Sequence, residues 1–268
     1  MARLVSPYPI VGTLGNVSMY KNRLTDKVVV RMKGGPSKSK IKTAKSCKGI
    51  RMQNKEFEGC GMANKAFFVA IYNIKHLNDY VVAGDVTKII KAIQGMDTVH
   101  QKGERNIDFS ANHRFLEGFH LNKKNPFGSV FTNSIPSTIN RLEGKVTVQI
   151  PEVMPGINFL NPWPYSSFRF IVNIGAVYDT VFKRSDNLYE IQHESGSSGV
   201  NFVCTDWMPT NNKIAAQALE VGLKGSASTL IDEHTTIIVS IGIEFGTNKY
   251  GETKPVKHVG CSMVLSVG

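Results

Sequence analysis

The chain has 268 residues, 41% hydrophobic and 20% charged, with a net charge of +11, which is the composition of a folding chain with a sizeable core and excludes wholesale disorder. The charge is concentrated: the first 55 residues carry thirteen Lys and Arg against Asp26 alone, a balance of +12, so residues 56–268 are close to neutral. No run approaches the roughly 20 apolar residues that span a bilayer, so no transmembrane segment is expected; Pro7 and Pro9 break the opening apolar stretch, and we expect a cytoplasmic protein or one released by a signal-independent route.

In chain order, residues 10–33 read as a pair of strands closed by a connection near Asn22 to Asp26. Gly34-Gly35-Pro36 then punctuates the chain. Lys38, Lys40 and Lys42 have period two, which in an extended chain sets them on one face about 7 Å apart, close to the phosphate repeat of a stretched nucleic-acid strand. Lys45, Lys48, Arg51 and Lys55 shift to helical spacing. Helices are expected near 44–58 and 62–76, broken or kinked at Gly59 and Gly61. Asp85 can cap a third helix with Val86, Ile89, Ile90 and Ile93 on one face and Gly95 at its end. Residues 97–135 read as loops with a short helix near 111–117.

From 140 the pattern is β. The expected strands are 145–150, 168–174, 176–182, 188–193, 200–205, 216–224, 235–245 and 257–267, separated by turn-rich stretches. Their spacing predicts an antiparallel β-sandwich or barrel, and the missing βαβ alternation argues against a parallel-sheet fold. The expected architecture is α+β: a basic N-terminal hairpin and arm over 1–43, a small helical region with loops over 44–135, and a C-terminal antiparallel β-sandwich over 136–268.

Motifs for chemistry are sparse. Cys47, Cys60, Cys204 and Cys261 form no C-x-x-C pair and read as free thiols in a reducing compartment. The seven histidines, His76, His100, His113, His120, His193, His234 and His258, lack metal-ligand spacing. Asp232-Glu233-His234 resembles acid–base machinery but reads better as a polar turn before a strand. Ser195 to Gly199 lacks the nucleophile-elbow pattern, and Gly34 to Lys38 lacks phosphate-loop spacing. No catalytic residue, metal or cofactor is assigned.

Lys33, Lys38, Lys40, Lys42, Lys45, Lys48, Arg51 and Lys55 are the candidate anion- or partner-binding residues, since Lys and Arg hold phosphates by releasing counterions. Only Tyr20 and Phe57 lie near them, so base stacking is not expected. Trp163 and Tyr165, in the stretch Asn161 to Tyr165, are candidate interface anchors; the alternative is a loop folded back over the end of the sandwich.

The opening, Gly12 to Lys21 (GTLGNVSMYK) followed by Val28 to Thr43 (VVVRMKGGPSKSKIKT), resembles a group of uncharacterised Bacteroidota proteins. Ile241 to Gly246 (IGIEFG) and Val256 to Gly260 (VKHVG) resemble the same group. The resemblance implies a bacterial origin and an arm and body that belong together, and it transfers no catalytic residue. The favoured function is a non-enzymatic structural subunit, a homo-oligomer assembling into a particle or filament, with the arm against neighbouring subunits or an anionic scaffold. The alternative is a sequence-nonspecific binder of nucleic acid or another polyanion; an enzyme with a site built from distant residues comes last.

Overall fold

The computed structural model describes residues 2–3, 10–22, 25–192, 199–225, 231–249 and 251–268. Arg23, His193 and Ser195 lie outside the described residues. The chain divides into two compact units, Met1–Arg51 and Met52–Gly268.

In the first unit, β1 (Ala2–Arg3), β2 (Gly12–Leu14), β3 (Val17–Lys21) and β4 (Val28–Met32) form an antiparallel sheet in the order β1-β4-β3-β2. The expected pair of strands is thus subdivided, because a turn at Gly15 and Asn16 separates β2 from β3. Register sets Leu14 beside Val17 and Val17 beside Met32, one apolar row across three strands. Helix α1 (Lys38–Thr43) follows. This corrects the extended reading of Lys38, Lys40 and Lys42. The Ser37 hydroxyl accepts from the Lys40 amide, and the Ala44 amide returns to the Lys40 carbonyl, so both ends of the short helix have partners.

Helix α2 (Lys48–Ala70) runs without interruption through Gly59 and Gly61, where a break was expected. Cys60, Ala63, Phe67 and Ala70 recur at helical spacing and are buried, which outweighs the roughly 1 kcal/mol cost of each glycine. Gly59 is where the ring of Tyr189 lies; an added methyl would stand 2.7 Å from it. Helix α3 (Ala83–Met96) buries Val86, Ile90 and Ile93 as the stripe predicts, with Val82 rather than Asp85 at its cap. Two single-turn helices, α4 (Phe109–Asn112) and α5 (Phe127–Val130), lie in the loop-rich stretch.

The strands of the second unit are β5 (Ser137–Asn140), β6 (Lys145–Ile150), β7 (Ser167–Tyr178), β8 (Thr180–Lys183), β9 (Leu188–Ile191), β10 (Asn201–Cys204), β11 (Met208–Pro209), β12 (Gln217–Gly222), β13 (Thr235–Lys249) and β14 (Glu252–Val267). A five-stranded sheet has the order β10-β7-β13-β14 with β11 also on β7; β12-β6-β5 form a second sheet, and β8-β9 a hairpin. All pairings are antiparallel.

Period-two alternation divides the side chains of the large sheet. Phe168, Phe170, Val172 and Ile174 of β7 join Ile237, Val239, Ile241 and Ile243 of β13 in one core with Val146, Val148 and Ile150 of β6. The intervening Ile171, Val177 and Ile238 pack with Phe67, Ile71 and Ile90 of the helical region. Helices and large sheet therefore share one unit, and the expected boundary at 135 falls inside it. The boundary expected at 43 falls instead at 51, within α2.

The outer edge of β14 is covered over one stretch and irregular over another. Leu121 donates its amide to Ser262, Gly118 to Val264, and Val264 to Phe119. Towards the start of the strand come Pro255 and a register shift: Glu244 faces Gly260, Gly246 faces Pro255, and Val256 to Val259 bulge from the ladder. Among the described residues no helix is long and apolar enough to cross a membrane.

Candidate functional site

The helical form of α1 separates the basic side chains. Lys38 and Lys42, four apart, share a face, and Lys40 points elsewhere. Arg51 is committed to the fold: its Nη1 donates to the carbonyls of Ile41 and Ala44 at 2.8 and 2.9 Å, tying the end of α1 to the start of α2. Lys33 Nζ donates to the Gly15 carbonyl at 3.3 Å, and Lys55 pairs with Glu58 at 3.0 Å. Lys38, Lys40, Lys42, Lys45 and Lys48 remain. All five are exposed, and none forms an ion pair with a described residue. Five like charges within eleven residues raise a local positive potential that an anion would relieve.

Trp163 and Tyr165 are half-buried against the core that contains Phe168 and Phe245. The Asn161 carbonyl Oδ1 accepts the Trp163 amide at 2.9 Å, and Thr210 Oγ1 donates to the Tyr165 carbonyl at 3.1 Å. The Trp163 ring lies 4.8 Å from that of Phe245, centroid to centroid. These contacts hold the loop back on its own sheet and leave less aromatic surface for a partner.

Spatial assembly produces a centre that linear spacing hides. Glu244 lies in the otherwise apolar run of β13 and is 3% exposed. A buried carboxylate needs several donors. Its Oε1 faces His76 Nε2 at 2.8 Å, and its Oε2 accepts from Arg169 Nε and Nη2 at 2.8 and 2.6 Å. Arg169 is the residue directly opposite on β7, and its guanidinium lies 4.5 Å over the Trp207 ring. Burial alone pushes the Glu244 carboxyl up; the hydrogen bonds from His76 and Arg169 outweigh it and hold the group below its ordinary range.

Two buried asparagines set the position of His76. Asn173 Nδ2 donates to the Ala70 carbonyl at 2.9 Å, and Asn122 Nδ2 to the Leu77 carbonyl at 2.8 Å. The link from α2 into the 3-10 turn at Lys75–Leu77 is thus held to the sheet at both ends. A cleft of about 580 Å³ opens beside the ion pairs, lined by Lys75, His76, Arg169, Glu244, His258 and aromatic side chains. His258 lies in the β14 bulge with φ +59°, in the left-handed region that glycine adopts freely and a residue with a Cβ adopts at a cost. The sequence signal for this centre was a lone acid within a β-branched strand; its partners lie 75 and 168 residues away.

The Asp232-Glu233-His234 stretch is a turn into β13, with Asp232 Oδ1 accepting the His234 amide at 3.0 Å. His234 Nδ1 and Ser110 Oγ both approach Asp179 Oδ2, at 3.3 and 2.6 Å. Serine and histidine thus share the same acceptor, which is not the nucleophile-to-base chain of acyl transfer. All four cysteines are free thiols. Burial pushes the Cys60 thiol up to about 11 and Cys204 and Cys261 upward as well, which keeps them unreactive. Among the described residues no group of three or more His, Cys, Asp or Glu could hold a metal ion. The chain matches no family model, no curated protein and no solved structure in the comparisons made.

Proposed function

We propose that the protein is a non-enzymatic subunit of a larger assembly, a cytoplasmic homo-oligomer whose N-terminal unit grips an anionic scaffold through Lys38, Lys40, Lys42, Lys45 and Lys48. The observation that carries this reading is that these five lysines are exposed and without an ion-pair partner among the described residues, while Lys33, Arg51 and Lys55 have intramolecular partners. Leu14 and Met32, 74% and 70% exposed in the apolar row of the N-terminal sheet, add a surface that association would cover. The body over 136–268 acts in this reading as a β-sandwich scaffold. Its support is the single core shared by the two sheets and the Asn201 Nδ2 bond to the Gly222 carbonyl, which bridges β10 and β12 at 2.7 Å.

The test uses nuclease-treated protein, alone and with a 30-nucleotide oligothymidylate or heparin, followed by light scattering and fluorescence anisotropy. Wild type is expected to form species larger than a dimer, and a variant with all five lysines changed to Ala is expected to lose them while keeping its melting temperature. If the scaffold is nucleic acid, log affinity for the single-stranded oligothymidylate should fall with log salt at a slope of about −3.5 for five phosphates. A wild-type protein that stays monomeric with and without either polyanion rejects the proposal. Oligothymidylate binding with no self-association leaves the nucleic-acid alternative in its place.

A further inference from the structure

We propose that the cleft beside Glu244 binds a small organic anion bearing a planar ring, its acidic group among Lys75, His76, Arg169 and His258 and its ring against Tyr72 and Phe202. The cleft's volume, about 580 Å³, is within the range of roughly 300–1,000 Å³ typical of small-molecule sites. Glu244 is the one acid among the described residues lining it, and both of its oxygens are occupied by His76 and Arg169. It therefore acts as an internal counter-ion that aligns two donors instead of repelling a second anion.

Several donors remain for that anion. His76 donates Nε2–H to Glu244, and the other nitrogen of a neutral imidazole accepts, so His76 shapes the wall without a further donor. Arg169 uses Nε and Nη2, which leaves Nη1 and its two hydrogens. Trp207 under the guanidinium fixes its plane, so the remaining edge is preorganised for a planar or tetrahedral oxyanion. Lys75 and His258 add two further cationic or donor groups at the lining. Tyr72 and Phe202, 70% and 47% exposed, present aromatic surface at the opening, which suits a ligand with a ring beside its charge.

The bulge supplies the second, independent observation. Val256 to Val259 stand out of the β13–β14 ladder, and within them His258 holds a backbone conformation suited to glycine. Bulges re-aim side chains beside binding sites, and strain concentrates where a side chain must be held in place. Here it brings an imidazole to the wall of the cleft. None of these residues belongs to the N-terminal basic segment, so this inference stands or falls apart from the assembly reading.

Calorimetric titration of the full chain with adenosine monophosphate, benzoate and inorganic phosphate tests it. A ring-bearing probe is expected to bind with a Kd of about 1 mM or tighter. Binding of the nucleotide alone identifies a phosphate ligand, and binding of benzoate alone a carboxylate. His258→Gly is expected to weaken that binding at least about tenfold while the melting temperature holds or rises by about 2 °C, because glycine fits the positive φ. Lys75→Ala is expected to weaken it by a similar factor, and the five-lysine variant to leave it unchanged. Failure of both ring-bearing probes to bind at about 10 mM overturns the inference. So does binding that both His258→Gly and Lys75→Ala leave intact. Inorganic phosphate binding as tightly as the nucleotide removes the role assigned to the aromatic wall.

Discussion

Replacing Glu56 by Ala is expected to cost the Met52–Gly268 unit about 3–5 kcal/mol, the range for removing one partner from a buried ion pair. Glu56 is fully buried in α2. Its Oε1 accepts from the Gly103 amide at 3.0 Å and from Arg105 Nε at 2.6 Å; its Oε2 accepts from Arg105 Nη2 at 2.9 Å and from Lys91 Nζ. Gln94 closes the network by accepting from Lys91 and donating to the Arg105 carbonyl. Without the carboxylate, two cations and an amide lose their acceptor together. The measurement is the urea midpoint, and a shift worth less than about 1 kcal/mol would reject the account.

The same residue sets an acid limit. Burial raises the Glu56 carboxyl, but Arg105, Lys91 and the Gly103 amide outweigh burial and bring it down to about 2 from an ordinary 4.5. The folded value lies below the unfolded one, so the stabilisation is complete above about pH 4.5 and is lost as pH falls towards 2. Glu56→Gln should be less stable at neutral pH and show a shallower fall in melting temperature across that window. Parallel curves for the two proteins between about pH 5 and about pH 2 would count against it.

A methyl group at Gly175 is expected to destabilise the same unit by about 3 kcal/mol or more, and Gly175→Val to prevent its folding. The added carbon would lie 2.3 Å from the Ala70 carbonyl oxygen and 2.7 Å from the Ala70 Cα. Neither atom can move aside as a side-chain tip could, because the same carbonyl accepts from buried Asn173. A loss of about 3 kcal/mol corresponds to a fall of roughly 6–12 °C in melting temperature for a unit of this size. Gly175→Ala melting within about 2 °C of wild type would show that α2 can retreat from the sheet.

Gly175 also explains what the sequence concealed. Read locally, a glycine between two apolar runs separates strands at 174 and 176, whereas β7 passes through it from Ser167 to Tyr178. The glycine answers to α2, more than a hundred residues earlier, and local pattern cannot register that. Gly59 misleads in the same way, suggesting a helix break where the Tyr189 ring needs room. Where burial on one face dominates, the pattern is legible: Val86, Ile90 and Ile93 mark α3, and the alternation in 145–150 matches β6. The lysines at 38, 40 and 42 fit either an extended or a helical segment, and the cap at Ser37 decides between them. Their exposure was readable from composition; the loss of Arg51 to the carbonyls of Ile41 and Ala44 was not, since it depends on how the chain turns back. The Glu244 centre was beyond local reading altogether, because it joins a 3-10 turn to two non-consecutive strands.

The guarded margin of β14 bears on how copies of this chain could join. An open strand margin invites another chain to continue the sheet through main-chain bonds, the route to cross-β fibres. Here the segment around Gly118 to Leu121 already occupies the acceptors and donors near Ser262 and Val264, and Pro255 with the adjoining bulge spoils the template further along. Polymerisation by sheet extension on that side is thereby discouraged, so an ordered polymer would have to be knitted together by side chains and should give no 4.7 Å reflection from that strand in a fibre pattern.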